Sequence, residues 1–183
     1  MKNIVYFDLE TQNLFQDVGG DRSAATIAKL KLSIGVTYST KEGTYGIWHE
    51  GTVDRMIQQL TRADLVVGHN ILGFDYPVLS AYSPYDFSQI PTLDTCDDIF
   101  RTRNARISLD SLAKATLGVS KIAEGTDAVK WWREGSEESL LRIAENCCYD
   151  VKICRLVHEY GHYHGLVFCT DRRGQKVSVD VKW

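Results

Sequence analysis

The sequence predicts an α/β fold: a mixed sheet, made of an antiparallel meander plus parallel strands, with helices packed on it. Three observations carry this. Ile4-Val5-Tyr6-Phe7 is a compact β-branched and aromatic run. Leu30 to Tyr38 and Thr44 to His49 alternate with period two, with Lys41-Glu42-Gly43 between them as turn material. From Thr52 onward, helical periods alternate with short apolar runs, the pattern of helices covering a sheet. At 183 residues, a single domain over 1–183 with a C-terminal hairpin is expected.

Taken in order, Lys2 to Glu10 reads as a strand buried on both faces, and strand alternation puts Asp8 and Glu10 on one face, two residues apart. Two carboxylates held that close repel, and each costs several kcal/mol to remove from water, so something cationic is expected between them. Thr11 to Arg22, with Gly19-Gly20, reads as a flexible loop beside the pair. Val53, Met56, Ile57 and Leu60 recur at helical spacing behind a cap at Thr52 or Asp54. Leu65-Val66-Val67-Gly68 reads as a strand parallel to the first. Its end bends through His69-Asn70-Ile71-Leu72-Gly73 into a helix starting near Phe74, which places Asp75 in the first turn, at the sheet edge shared with the first pair.

Pro91 to Asp97 is expected as another strand, and Leu109 to Leu117 as a helix capped by Ser108 and stopped by Gly118. Val119 to Gly135 reads as a loop in which Trp131-Trp132 serve as aromatic anchors in preference to a base-stacking platform. The last large helix begins at Ser136, with Glu137 and Glu138 where its dipole favours them, and runs to about Tyr160 before Gly161. Leu166 to Cys169 and Lys176 to Val181, joined through Asp171-Arg172-Arg173-Gly174, read as a terminal hairpin. On the long helix Leu140, Ala144, Cys147, Val151 and Cys154 share a face; Asp150 borders it, Asn146 faces the same side, and Tyr149 points toward solvent.

Composition bounds the function. The chain is 44% hydrophobic and 25% charged, which excludes a disordered or membrane class. No apolar stretch approaches bilayer length and Asp8 interrupts the first apolar run, so a cytoplasmic protein with no membrane partner is expected. Cys96, Cys147, Cys148, Cys154 and Cys169 form no Cys-x-x-Cys pair and are expected as free, buried thiols. A net charge of -3 argues against coating nucleic acid by bulk electrostatics, but it does not exclude an enzyme that gathers acids around metal ions and acts on nucleic acid. Arg101, Arg103 and Arg106 are either a basic rim for a phosphate backbone or a solvated polar loop.

These residues resemble the DEDD exonuclease superfamily of the ribonuclease H-like fold. Phe7-Asp8-Leu9-Glu10-Thr11 looks like its first motif, Asn70-x-x-x-Phe74-Asp75 its second and Asp150-Val151 its third. Ser108-Leu109-Asp110-Ser111-Leu112-Ala113, Lys130-Trp131-Trp132 and Lys152 to Gly161 look like the branch of predicted bacterial ribonuclease H-like exonucleases, found alone or fused to helicases. The resemblance implies a 3'-5' exonuclease acting on single-stranded DNA or RNA ends, with nucleic acid as partner and a helicase as a further one. It implies that Asp8, Glu10, Asp75 and Asp150 bind two Mg²⁺ or Mn²⁺ ions, and oxygen-only ligands suit such hard cations. Leu9, Thr11, His69, Asn70 and Phe74 are the substrate contacts it implies, each of which packing or loop-fixing would equally explain.

One position departs from the pattern. Where relatives usually carry Tyr or His, one turn before the final Asp, this chain has Asn146, which orients a water without acting as a base. A reduced rate is expected, and a metal- and nucleic-acid-binding module with weakened catalysis is the alternative. His158 falls on the apolar face, and His162 and His164 are expected past the helix end.

Overall fold

The computed structural model describes residues 2–123, 125–171 and 173–183. Strands β1 (Ile4–Thr11), β2 (Leu32–Ser39), β3 (Thr44–His49), β4 (Leu65–Gly68) and β5 (Thr92–Asp94) form one sheet in the order β3-β2-β1-β4-β5. β1 pairs antiparallel with β2 and parallel with β4, so the expected mixed sheet is present with the acidic strand at its centre. β6 (Leu166–Thr170) and β7 (Lys176–Asp180) make the expected hairpin as a separate antiparallel pair. Arg172, assigned to its turn from sequence, lies outside the described residues.

The helices are α1 (Phe15–Val18), α2 (Ala24–Ala28), α3 (Val53–Thr61), α4 (Asp75–Leu79), α5 (Thr95–Arg103), α6 (Leu109–Leu117), α7 (Gly125–Glu134) and α8 (Glu137–His164). They cover the sheet on both sides. Val5, Phe7 and Leu9 enter a core with the buried residues of α2, α3 and α4, while Tyr6 enters a second core with those of α6, α7 and α8. Because side chains alternate along β1, Asp8 and Glu10 fall on the Tyr6 side, under α8.

Several elements differ from the sequence reading, each for a local reason. The stretch expected as a loop to Arg22 contains α1, and Ser23 caps α2 by accepting from the Thr26 amide. β2 starts at Leu32 because Lys31 takes a left-handed conformation (φ 59°). Neither Thr52 nor Asp54 caps α3: the Thr52 hydroxyl instead exchanges hydrogen bonds with the His49 backbone, at 3.1 Å each way. β5 is shorter than expected because Asp94 accepts from the Cys96 and Asp97 amides and so starts α5. Arg101 and Arg103 therefore sit on the last turn of a helix and not in a loop.

The segment expected as a loop from Val119 to Gly135 contains α7, whose Ala128 and Val129 are buried; Glu124 lies outside the described residues. Trp131 and Trp132 pack partly buried against the α6–α8 core, as anchors would. Ser136 caps α8 and Ser108 caps α6, as read from sequence. α8 continues through Gly161, where a Cβ would run into the Trp183 ring, and ends at Gly165 (φ 70°). His162 and His164 are thus inside the helix, and Tyr149 is partly buried against the core instead of turned to solvent.

His158 is 5% exposed, with Nδ1 2.9 Å from the Tyr6 hydroxyl; burial, and then the neighbouring His162, lower its pKa to about 4. The folded state therefore binds fewer protons than the unfolded chain between about pH 4 and 6.5, so stability falls as pH drops through that window. His158→Gln removes this dependence. Urea melts at pH 7.5 and 4.5 are expected to show the wild-type advantage over the variant narrowing by about 2 kcal/mol at the lower pH.

Candidate metal centre and its cleft

The fold converges three of the four expected carboxylates. Asp8 and Glu10, from the central strand, and Asp150, from the middle of α8, each offer an oxygen within 4.8 Å of the others. Glu10 is 8% exposed and Asp150 2%, with Asp8 half-buried between them. Loss of water raises the Asp8 pKa well above its ordinary value, and the charges of Asp150 and Glu10 push it further in the same direction. Burial raises Glu10 to about 7 against the pull of the Lys121 ammonium. The cluster holds negative charge at a cost, and binding a cation would remove that cost.

Asp75 arrives by a different route. It is 3% exposed in the first turn of α4, and its Oδ1 accepts the Leu9 amide at 3.0 Å, so it lies beside the cluster without joining its closest group. Burial, followed by the Asp8 charge, raises its pKa well above normal, which places it within electrostatic reach of Asp8. The bend that presents it is pinned by Asp94, whose carboxylate accepts the Asn70 amide at 2.7 Å and the Leu72 amide at 2.9 Å. Asn70 needs that support because it holds a left-handed conformation (φ 67°).

Three further groups touch the acids. Lys121 Nζ stands 2.7 Å from Asp150 Oδ2, and the charges of Asp150, Asp8 and Glu10 outweigh its burial and keep it protonated. It offsets part of the charge of the cluster from the Asp150 side, whereas the cation expected from sequence was to lie between Asp8 and Glu10. The fully buried Asn146 donates from Nδ2 to Glu10 Oε1 at 2.8 Å, while its Oδ1 meets no hydrogen-bond partner among the described residues. The Cys147 thiol donates to the Asp8 carboxylate at 3.4 Å and to its backbone carbonyl at 3.3 Å. Lys121 and Asp94 were not anticipated as site residues; the only sequence signal for Lys121 was the charge imbalance itself.

Asp8, alone of the four expected carboxylates among the described residues, lines a hollow of about 560 Å³, together with Lys121, His69, Asn70, Arg22 and Arg106 among others. Arg106 Nη1 donates to Asn70 Oδ1 at 2.8 Å. His69 is held by the Thr95 hydroxyl on Nδ1 and the Ile107 carbonyl on Nε2, both at 2.9 Å, and burial lowers its pKa to about 4, so it fixes the loop around it. A smaller, mainly apolar hollow of about 220 Å³ is lined by Glu10, Thr11, Phe15, Phe74 and Val129. Phe15 and Phe74 meet edge to face there at 6.2 Å. Thr11 is 7% exposed and donates to the Asn13 carbonyl, and Leu9 is 4% exposed within the core, so Phe74 is the more open of the expected base contacts.

Comparison with known proteins agrees with the fold. Among curated proteins, none matches the sequence. Of solved structures, the family B DNA polymerase of the hyperthermophilic archaeon Pyrobaculum calidifontis superposes with a TM-score of 0.64 at 14% identity, over 88% of this chain and 24% of the polymerase. The zinc-bound E. coli ExoI–ssDNA complex superposes with a TM-score of 0.52 at 11% identity, over 89% of this chain and 41% of that one. The chain thus spans well under half the length of either, and at these identities the likeness is one of fold. The family model of the RNase_H superfamily matches residues 5–160, which include all four expected carboxylates, and the chain belongs to that superfamily.

Proposed function

We propose that the protein is a divalent-metal-dependent 3'-5' exonuclease that hydrolyses phosphodiester bonds at single-stranded DNA or RNA ends. One observation carries the reading: Asp8, Glu10 and Asp150 share a site 4.8 Å across, and Asp8 also lines a cleft whose other charged residues include Arg22, Arg106, Lys121 and Asp110. That arrangement puts a cation-binding cluster beside groups that attract phosphate. The solved neighbours, one an ExoI–ssDNA complex, support the same class of chemistry.

The residues fit the metals that this class uses. The cluster offers hard carboxylate oxygens, burial raises the pKa of Asp8 and Glu10, and an ammonium already lies against one member. Asp8, Glu10 and Asp150, with Asp75 beside them, would hold two Mg²⁺ or Mn²⁺ ions. Bound there, such ions supply water activation and neutralise charge on the phosphate.

The chain's own groups do the rest. Arg22, Arg106 and Lys121 bind the phosphates flanking the scissile bond. Phe74 and Phe15 flank the terminal base in the apolar hollow. Asn146 holds Glu10 through Nδ2, and its buried Oδ1 is free to accept a hydrogen bond from the attacking water, orienting it without taking its proton. The same tie to Glu10, at a position where relatives supply a proton acceptor, favours the second reading, a metal- and nucleic-acid-binding module with weakened catalysis.

Digestion of 5'-labelled single-stranded oligonucleotides separates the two. With Mn²⁺ the wild type is expected to give a ladder shortening from the 3' end, absent in chelator and absent in Asp8→Ala. Retention of the oligonucleotide without shortening would establish the binding module instead. Asn146→Ala unties Glu10, and is expected to lower kcat ten- to a hundredfold and to raise the Mn²⁺ concentration needed for half-maximal rate. A kcat equal to wild type would remove Asn146 from the mechanism.

A further inference from the structure

A second hollow of about 720 Å³ lies between the end of α5 and the C-terminal hairpin, outside the catalytic cleft. Arg103, Arg106 and Arg173 stand on it, over Ile107, Cys169 and Val177. Cys169 is buried and the other two are partly buried, so the floor is apolar and the rim cationic. Arg106 and Ile107 also line the catalytic hollow, so the two spaces adjoin at those residues.

The charges on this rim are available. Arg101, Arg133 and Arg142 are each paired with a carboxylate at 2.6 to 2.7 Å. Among the described residues, Arg103, Arg106 and Arg173 form no ion pair. Asp171, the acid in the groove, has its Oδ1 engaged by the Arg173 and Gln175 amides. Three unpaired guanidinium groups in one hollow are out of keeping with a chain of net charge -3.

Both walls are also fixed. Thr116 on α6 bonds the Phe168 amide and carbonyl at 2.9 Å, and the Ser111 hydroxyl accepts the Thr170 amide at 3.2 Å, which lock the hairpin to α6. On the other side the Trp183 indole donates to Asp98 on α5 at 2.7 Å, tying the chain after β7 to the helix that carries Arg103. The rim is a shaped groove between anchored elements.

We infer that this groove holds the phosphate backbone of the single strand on the 5' side of the scissile bond, with Arg106 passing it from the hairpin to the catalytic cleft. The inference rests on the exonuclease reading for its direction, and on the groove alone for its ligand. Among the described residues the groove lining contains no aromatic side chain to stack on bases, so binding there is sequence-neutral and driven by phosphate charge.

The test uses a fluorescein-labelled oligothymidylate of about ten nucleotides, within the usual site size for a single strand. Its Kd is measured by anisotropy in chelator at several salt concentrations, for wild type, R103A/R173A, R103K/R173K, and R55A/R62A, whose exposed arginines lie on α3 and at its C-terminal cap, across the sheet. R103A/R173A is expected to weaken binding about tenfold, and to lower the salt slope by about 0.7 for each contact removed. The lysine pair should keep the slope, and R55A/R62A should match wild type. Equal weakening in R55A/R62A, no change in R103A/R173A, or a wild type that does not bind would each overturn the inference. Binding that depends on the groove, in a protein that cleaves nothing with Mn²⁺, would leave the groove standing and remove the exonuclease reading.

Discussion

Three carboxylates drawn out of water into a space 4.8 Å across are the constraint on which the rest of this structure turns. Left alone they oppose folding, because each pays desolvation and all three repel. The chain offsets this in several ways. Lys121 supplies a positive charge against Asp150, Asn146 donates to Glu10, and the Cys147 thiol donates to Asp8. These measures are partial, since Asp8 and Glu10 still sit above their ordinary pKa values. A site that keeps its acids reluctant to ionise, beside an ammonium, is prepared for a stronger cation.

The fold exists to hold that arrangement rigid. β1 is the middle strand of five, so neither acid on it sits at an edge that could fray. Its alternation sends Val5, Phe7 and Leu9 into one core and turns Tyr6, Asp8 and Glu10 toward α8. Across from them, α8 presents Asn146, Cys147 and Asp150 within little more than one turn, each buried. Strand and helix periods meet at this point, so a shift of one residue in either would scatter the cluster.

Much of this was legible in the sequence, and the limits are physical. Asp8 and Glu10 shared a face by strand parity, Asp150 bordered an apolar helical stripe, and Asp75 followed a bend after a parallel strand; each is a local consequence of period or turn chemistry. Lys121 was not legible as the partner of Asp150 because nothing local distinguishes it from other loop lysines. Asp94 was hidden inside an expected strand, where its role as a cap and as the clamp on Asn70 depends on tertiary contact. α7 was missed because its ten residues, beginning with Gly125 and burying only Ala128 and Val129, are held as a helix by packing more than by pattern. The loop of arginines was partly misread for the same reason: the Asp94 cap turns Arg101 and Arg103 into the end of a helix, and the hairpin, far along the chain, turns their neighbourhood into a groove.

The central claim, that the carboxylate cluster is a cation site, is tested most directly by thermal melting with and without Mn²⁺. At a concentration a hundredfold above Kd, a bound ion adds about 2.7 kcal/mol, which for a chain of this size raises Tm by roughly 5 to 10 °C. The account predicts that rise in the wild type and its loss in Asp8→Asn, which should itself melt higher than the metal-free wild type at neutral pH because one buried charge is gone. A melting temperature indifferent to Mn²⁺, in a protein whose Asp8→Asn variant is no more stable, would contradict it.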